Sequence, residues 1–492
     1  MKSWVKSGSP WVWLTAGSVA VSLLALIGIL LLLAGQGMRY FWPSPVYQFE
    51  LNQNGAGPVT LIGELYQQQS ISRRQLSEAG VTPPGEAQSV ERYLIKVGNR
   101  EREGQDFRTL WPETSAAKAR RRSLLVLERD SPRQPPTAIW QAAEDGNRSP
   151  AAIWGRRCSG SISCCPNVWR GSTAIASATR CWLRDMHGQT LTIPLSQVRD
   201  AWYPNAMNTV EKLAHWGEQV KKFLTDSPRE ELPKAGVFPA IFGTVLMVIL
   251  MSIVVMPFGV IAAVYLHEYA GNNLLTRGDP HRVVNLAGVP SIVYGVFGLG
   301  FFVYMIGGTL DQLFYPESLP NPTFGTPGVV WTRLSLALLT LLTLPVVIVA
   351  TEEGLSRIPT SLRQGSMALG ASRAETLWRI VLPMAAPAMM TGLILAVARA
   401  AGETAPLMLV GVVKSVPVLP VDEIFPYLHL ERKFMHLSFQ IYDMAFQSPT
   451  VEAARPLVFA TAFLLVTIEV SLNLAAMGIR HSLRERYRAW SQ

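Results

Sequence analysis

Charge is scarce in this 492-residue chain: Asp, Glu, Lys and Arg make up 16% of it, against about 25% in ordinary soluble domains. Cysteine is scarcer still. There are four, Cys158, Cys164, Cys165 and Cys181, all in one stretch, and their spacing fits no common zinc pattern. The phosphate-loop pattern G-x-x-x-x-G-K-[ST] is missing, so the chain carries no ATPase motif of its own. His267-Glu268 opens like the zinc-protease pattern H-E-x-x-H, but position 271 is Gly271, and the pattern fails. The long apolar runs contain no nucleophile–base pair and no metal-ligand set. Together these absences argue against an enzyme, and against a catalytic centre, metal or cofactor held by this chain.

What the chain has in abundance is apolar residues, 49% of the total, gathered into long blocks as membrane spans require. Six runs are long enough, or nearly so: Trp11–Ala34, Phe238–Leu266, Val283–Ile306, Leu334–Ala350, Ala385–Val413 and Pro456–Gly478. The net charge of +9 follows from retention of Lys and Arg on the cytoplasmic side of a membrane and calls for no nucleic acid. Lys2 and Lys6, then Arg277 and Arg282, then Arg357, Arg363, Arg373 and Arg379, and finally Arg480, Arg484, Arg486 and Arg488 mark alternate connections. Both termini and the Arg363 segment are therefore expected inside. The first run is too long for a signal-peptide core and has no clear small-residue cleavage site, so it reads as a retained anchor.

Between the anchor and the second run lies a polar insert, residues 37–235, which this topology places outside the cytoplasm. Pro58–Tyr66, Arg92–Asn99 and Gln189–Val198 have strand character. Asn208–Leu224 carries Val210, Leu213, Ala214, Val220 and Leu224 at helical spacing. A small α+β domain is expected. Its middle, Arg100–Arg184, is dense in arginine and holds all four cysteines. A disordered basic loop is the preferred reading; a disulfide-braced subdomain and a local shift of reading frame in the gene are the other two.

The chain is organised around Arg363–Leu407. Gly370 is followed by nine residues and then Ile380-Val381-Leu382-Pro383, and Gln364-Gly365-Ser366 stands before it. The proline is expected to end a polar loop and the next helix to run from Met384 to Val413. That helix holds Arg399 and Glu403 four residues apart, hence on one face. A charge at membrane depth faces a bundle interior or an aqueous path. Thr351-Glu352-Glu353 reads as the cap of a helix N-terminus. Trp378 and Leu382 offer apolar anchors for docking. The glycines of the third run, Gly288, Gly295, Gly298 and Gly300, suit close helix packing.

The loop resembles the signature of ABC-importer membrane subunits, E-A-A-x3-G-x9-I-x-L-P, with Gln-Gly-Ser in place of Glu-Ala-Ala. Ala398–Leu407 (ARAAGETAPL), Gly236–Val245, Asn285–Gly300 and Thr351–Arg363 resemble the PstA family of phosphate-specific permeases, so that the likeness covers about residues 236–478. The resemblance implies a mainly α, polytopic membrane helical bundle of about six spans, with type I ABC importer permease architecture and an α+β periplasmic insert. It implies division into an anchor (1–36), the insert (37–235), the transmembrane domain (236–480, with a coupling loop at 351–383) and a tail (481–492). It further implies import of inorganic phosphate across a bacterial inner membrane. The expected partners are ATPase subunits that use ATP, a second homologous permease subunit, a periplasmic phosphate-binding protein and membrane lipid. Gln364, Gly365, Ser366, Gly370, Ile380, Leu382 and Pro383 would couple to the ATPase. Arg399 and Glu403 would line the substrate pathway, against the alternative of a purely structural pair. Rival readings are a sulfate or molybdate permease and a membrane-anchored periplasmic sensor or scaffold.

Overall fold

The computed structural model describes residues 9–53, 56–72, 89–97, 107–111, 115–129, 137–142, 180–184, 189–194, 198–226, 236–269, 290–318, 325, 329–403, 408–409, 419, 421, 425, 427, 435–447 and 451–488. Cys158, Cys164, Cys165 and Gly288 lie outside them, as do residues 404–407. The chain divides into two compact units. One comprises residues 1–40, 225–230 and 235–492; the other comprises 41–224 and 231–234.

The chain opens with helix α1 (Ser9–Arg39), which has no acidic residue in its first turn. The second unit follows. Its strands are β1 (Val46–Gln53), β2 (Ala56–Ser72), β3 (Ser89–Lys96), β4 (Phe107–Leu110) and β5 (Ser115–Ala119). Then come β6 (Leu124–Arg129), β7 (Thr137–Ala142), β8 (Arg180–Arg184), β9 (Thr190–Pro194) and β10 (Val198–Trp202). They form two five-stranded sheets, β4-β3-β2-β1-β5 and β10-β6-β7-β8-β9. All pairings are antiparallel among the described strands.

Phe49, Leu61, Ile62 and Ile95 of the first sheet share a core with Leu124, Val126 and Trp202 of the second. Phe49 and Leu61 lie directly opposite each other, so alternation puts both on one face, with the adjacent Ile62 on the other. The side chain of Asn205 ties the first strand to the connection before β6. Its Nδ2 donates to the Val46 and Arg121 carbonyls, both at 2.8 Å, and its Oδ1 accepts from Val46 N. Helix α2 (Thr209–Thr225) then turns His215 onto Trp202 and Phe223 onto Phe41.

Two sequence expectations change here. The arginine-rich stretch 100–184 is not a disordered loop throughout, because β4 to β8 fall within it; Cys181 sits in β8, paired across to Ile193. The strand expected over Gln189–Val198 is β9, which spans Thr190–Pro194, and β10 begins at Val198.

The other unit is helical. It contains α3 (Phe238–Val264), which continues as a π-helical turn at Tyr265–Tyr269. Next, α4 (Ser291–Phe297) passes through a π-helical stretch, Gly298–Gly307, into α5 (Gly308–Phe314). Then come α6 (Val329–Ser356), α7 (Thr360–Ala368) and α8 (Arg373–Thr376); the last runs through a π turn, Leu377–Val381, into α9 (Leu382–Gly402). Helix α10 (Leu437–Tyr442) leads to α11 (Val451–Arg488).

Among the described residues, five stretches are long and apolar enough to cross a membrane: Val12–Arg39, Phe238–Tyr269, Ser291–Phe314, Arg373–Gly402 and Ala454–Ser482. The remaining expected run, Leu334–Ala350, lies within the 28-residue α6, which packs on α3 and α9. Val347 is the wedge between them. A Cβ added at Gly259 of α3 would stand 2.6 Å from Val347 Cγ1, and one at Gly392 of α9 would stand 3.1 Å from Val347 Cα. Small residues let backbones approach where no hydrophobic force separates helix from lipid.

The fifth expected run shifts at both ends. Pro383 does not end a loop: the helix begins at Arg373 and passes through Pro383, with the π turn immediately before it. Such a turn relaxes the ladder where proline withholds its N–H. At the other end the helix stops at Gly402, not Val413. Glycine is a poor helix former, and Pro406, four residues on, disfavours helix in the residue before it. Thr351-Glu352-Glu353 is also not an N-terminal cap, since it lies in the last turns of α6, where Glu353 pairs with Arg357.

Candidate functional site

The signature region folds as a hairpin of two helices, α7 and α8, about Gly370. Gly370 has φ +92°, and the chain closes α7 around it. Gly370 N donates to the Met367 carbonyl at 3.0 Å and Ala371 N to the Ser366 carbonyl at 3.3 Å. This is the Schellman pair of bonds, which calls for glycine at the left-handed position. A Cβ at Gly370 would meet nothing within 4 Å, so the backbone, not close packing, demands the glycine. The chain then restarts on a capping box: Ser372 Oγ accepts from Glu375 N, and Glu375 Oε2 accepts from Ser372 N. The S-x-x-E spacing of Ser372 and Glu375 is a sequence signal for this start.

Of the expected coupling residues, Gln364, Gly365 and Gly370 are exposed, Ser366 is buried, and Ile380, Leu382 and Pro383 are half-buried. Leu382 packs with Leu355, Ile358, Leu377 and Val381 in a cluster that also receives Val260 and Val264 of α3. It packs at the root of the hairpin and is half-buried there. The apolar side chains the hairpin does present are Leu369 (91% exposed), Trp378 (72%), Leu362 and Met367. Leu369 is missing from the sequence reading, although its place beside the turn glycine marks it. Arg363 entered the sequence reading only as a mark of topology and as the start of the signature stretch. Arg363 donates to the carboxylate of Glu268, in the turn that ends α3, and at 2.9 Å to the Leu355 carbonyl at the end of α6.

Arg399 and Glu403 are brought together, Nε to Oε1 at 3.5 Å. They do not sit in mid-helix. Arg399 occupies the last turn of α9, and Glu403 is its C-cap with φ −74° and ψ 110°. Around them, Ala396, Val397, Ala400 and Ala401 are buried against Met247, Met251 and Val255 of α3 and Val347 of α6. Arg399 is 35% exposed and Glu403 17%. The guanidinium is thus the more accessible partner, and a cation in the last turn also complements the helix dipole. Among the described residues no group of three or more His, Cys, Asp or Glu is arranged to hold a metal ion.

This multi-pass helical body matches a transport family: residues 256–485 fit the binding-protein-dependent transport system inner membrane component family. The phosphate transport system permease protein PstA 1 of Mycobacterium tuberculosis (strain ATCC 25618 / H37Rv) is 33% identical over 268 residues, covering 54% of this chain and 77% of that relative. The phosphate transport system permease protein PstA of Mycobacterium leprae (strain TN) is 36% identical over 196 residues, 39% of this chain and 58% of the relative. A solved methionine ABC transporter in an inward-facing conformation is 16% identical, with a TM-score of 0.34 over 50% of this chain and 94% of that one. The chain belongs to the PstA-type permeases of the ABC transporter family.

Proposed function

We propose that this permease imports inorganic phosphate at the expense of ATP hydrolysed by a partner. The chain forms half of a translocation pathway, a second homologous permease forms the other half, and a periplasmic phosphate-binding protein delivers the anion. The observation that carries the coupling part is the hairpin about Gly370, which holds Leu369 and Trp378 out from the body on two capped helices. Large exposed apolar side chains on a polar, rigid hairpin suit a groove on a protein partner. The choice of phosphate is supported by the relatives from Mycobacterium tuberculosis and Mycobacterium leprae, both phosphate transport system permease proteins by name.

In this reading the hairpin and both termini face the cytoplasm of a bacterium, and the two-sheet unit lies in the periplasm. The chain binds no cofactor; ATP is used by the ATPase subunits. Arg399 guides the oxyanion, and Glu403 competes for the guanidinium so that the anion is not held too tightly. The test is uptake of radiolabelled phosphate by proteoliposomes holding the assembled complex, with ATP inside and binding protein outside. Sulfate and molybdate are added as competitors. ATP-dependent phosphate uptake that resists a tenfold excess of either competitor is expected, taking tenfold as about 1.4 kcal/mol of discrimination. Uptake abolished by sulfate or molybdate would transfer the assignment to that anion, and failure of any anion to enter would overturn transport.

A further inference from the structure

We propose that Arg363 is a positioning residue that fastens the coupling hairpin to two membrane helices, so that a push on the hairpin reaches both. The inference rests on the coupling role argued above for that hairpin. Arg363 stands on α7, and its guanidinium reaches two other helix ends. One nitrogen bonds Glu268, at the end of α3, 95 positions away. The other bonds the carbonyl of Leu355, in the last turn of α6. A planar guanidinium is suited to this double task, because its donors point in fixed directions. A cation also belongs at the C-terminus of a helix, where carbonyls lack partners.

The surroundings make the tie one-sided. Arg363 and Glu268 are both largely buried, 18% and 25% exposed. Arg363 Nε is itself buried with no hydrogen-bond partner. Glu268 supplies the opposite charge. His267 Nε2 lies 4.0 Å from the same carboxylate oxygen, so among the described residues Arg363 is its closer cationic partner. Beneath this polar rim lies the apolar cluster of Leu355, Ile358, Leu377 and Val381 with Val260 and Val264. The cluster resists separation of the helices but permits sliding; the directional bonds of Arg363 remove that freedom.

Three variants of the full chain test this, purified with the partner ATPase: E268Q, E268D and the double variant E268Q/R363M. Two quantities are read, amide hydrogen exchange over Thr360–Ala368 and phosphate moved per ATP hydrolysed. The fastening predicts exchange faster by roughly ten-fold in E268Q, since removal of one partner leaves a lone buried charge and frees the segment. It predicts a lower transport-to-hydrolysis ratio with ATPase activity retained. E268D keeps the charge and should stay near the parent. The double variant removes the lone charge but not the loss of direction, so both defects should persist. A mere charge-balance role would return the double variant to parental values and overturn the proposal, as would parental values in E268Q. If the parent complex moves no phosphate, the transport reading fails on its own, and the exchange comparison still decides whether Arg363 fastens the hairpin.

Discussion

Ser366 Oγ and Thr376 Oγ1 lie 2.9 Å apart, both buried, across the turn at Gly370. Their bond clamps α7 to α8, and it gives a reason for one departure from the family signature: Ser366 stands where the signature has alanine. Alanine there would strand the Thr376 hydroxyl. Ser366→Ala should therefore destabilise the protein by about 1–3 kcal/mol, the cost of an unsatisfied buried hydroxyl. Adding Thr376→Val should recover much of that loss, because neither partner is then left unpaired. Thermal unfolding of the two single variants and the double, in one detergent, gives the coupling energy. Additive losses would mean that the two hydroxyls do not depend on each other.

The two glycines of the hairpin should respond in opposite directions. At Gly370 the backbone is left-handed and the space is open. Gly370→Ala should cost about 1–2 kcal/mol through the backbone alone, with Gly370→Asn milder because asparagine tolerates that region. At Gly365 the backbone is helical and a Cβ meets nothing within 4 Å. Gly365→Ala should then stabilise by up to ~1 kcal/mol. Thermal unfolding ranks the variants; a stable Gly370→Ala protein would remove the turn's claim on glycine.

The sequence made the apolar runs legible because lipid demands unbroken length, and Gly370 legible because a Schellman turn has few substitutes. The strands β4 to β8 were hidden, since dense arginine and short length mask period-2 alternation. The end of α9 was written locally in Gly402 and Pro406 but outweighed by the apolar residues that follow. Pro383 misled in the other direction: a π turn absorbs it, and no local pattern announces such a turn. The tie between Arg363 and Glu268 spans 95 positions, so only folding brings the two side chains together.

His436 is the N-cap of α10, where its ring accepts from Ser438 N, and its Nε2 is buried without a partner. Next to it, Leu437 N donates to Thr244 Oγ1 of α3 at 3.0 Å. Burial pushes the imidazole down from 6.5 to about 4. A depressed value means that the unfolded chain takes up the proton first, so the stabilisation is complete above pH 6.5 and is lost as pH falls toward 4. The loss should approach the order of 3 kcal/mol at the acid end. His436→Asn keeps an N-capping acceptor and removes the titration. Hydrogen exchange over 436–442 should therefore rise between pH 6.5 and 4 in the parent, after correction for intrinsic rates, and stay flat in the variant. An equal rise in both would place the titrating group elsewhere.

Arg399 and Glu403 pose the sharpest question about transport. Their place at the end of α9 changes what each substitution removes. Glu403 is a C-cap residue with extended backbone, and its carboxylate folds back one turn to the guanidinium. If Arg399 meets the anion, Glu403→Gln should leave a freer cation, and phosphate should bind more tightly but leave more slowly, lowering KM and kcat together. Arg399→Gln should cut uptake by at least about ten-fold, the scale for losing one partner of a desolvated charge contact. Arg399→Lys keeps the charge without the planar fork and should fall between. If the pair only closes the helix end, Glu403→Gln and Arg399→Gln should both lower stability, and the double neutral variant should transport near the parental rate because no lone charge remains. Uptake kinetics of the four variants, with co-purification of the partners as the check on assembly, separate the two roles. A parental rate in Arg399→Gln would remove the residue from the pathway altogether.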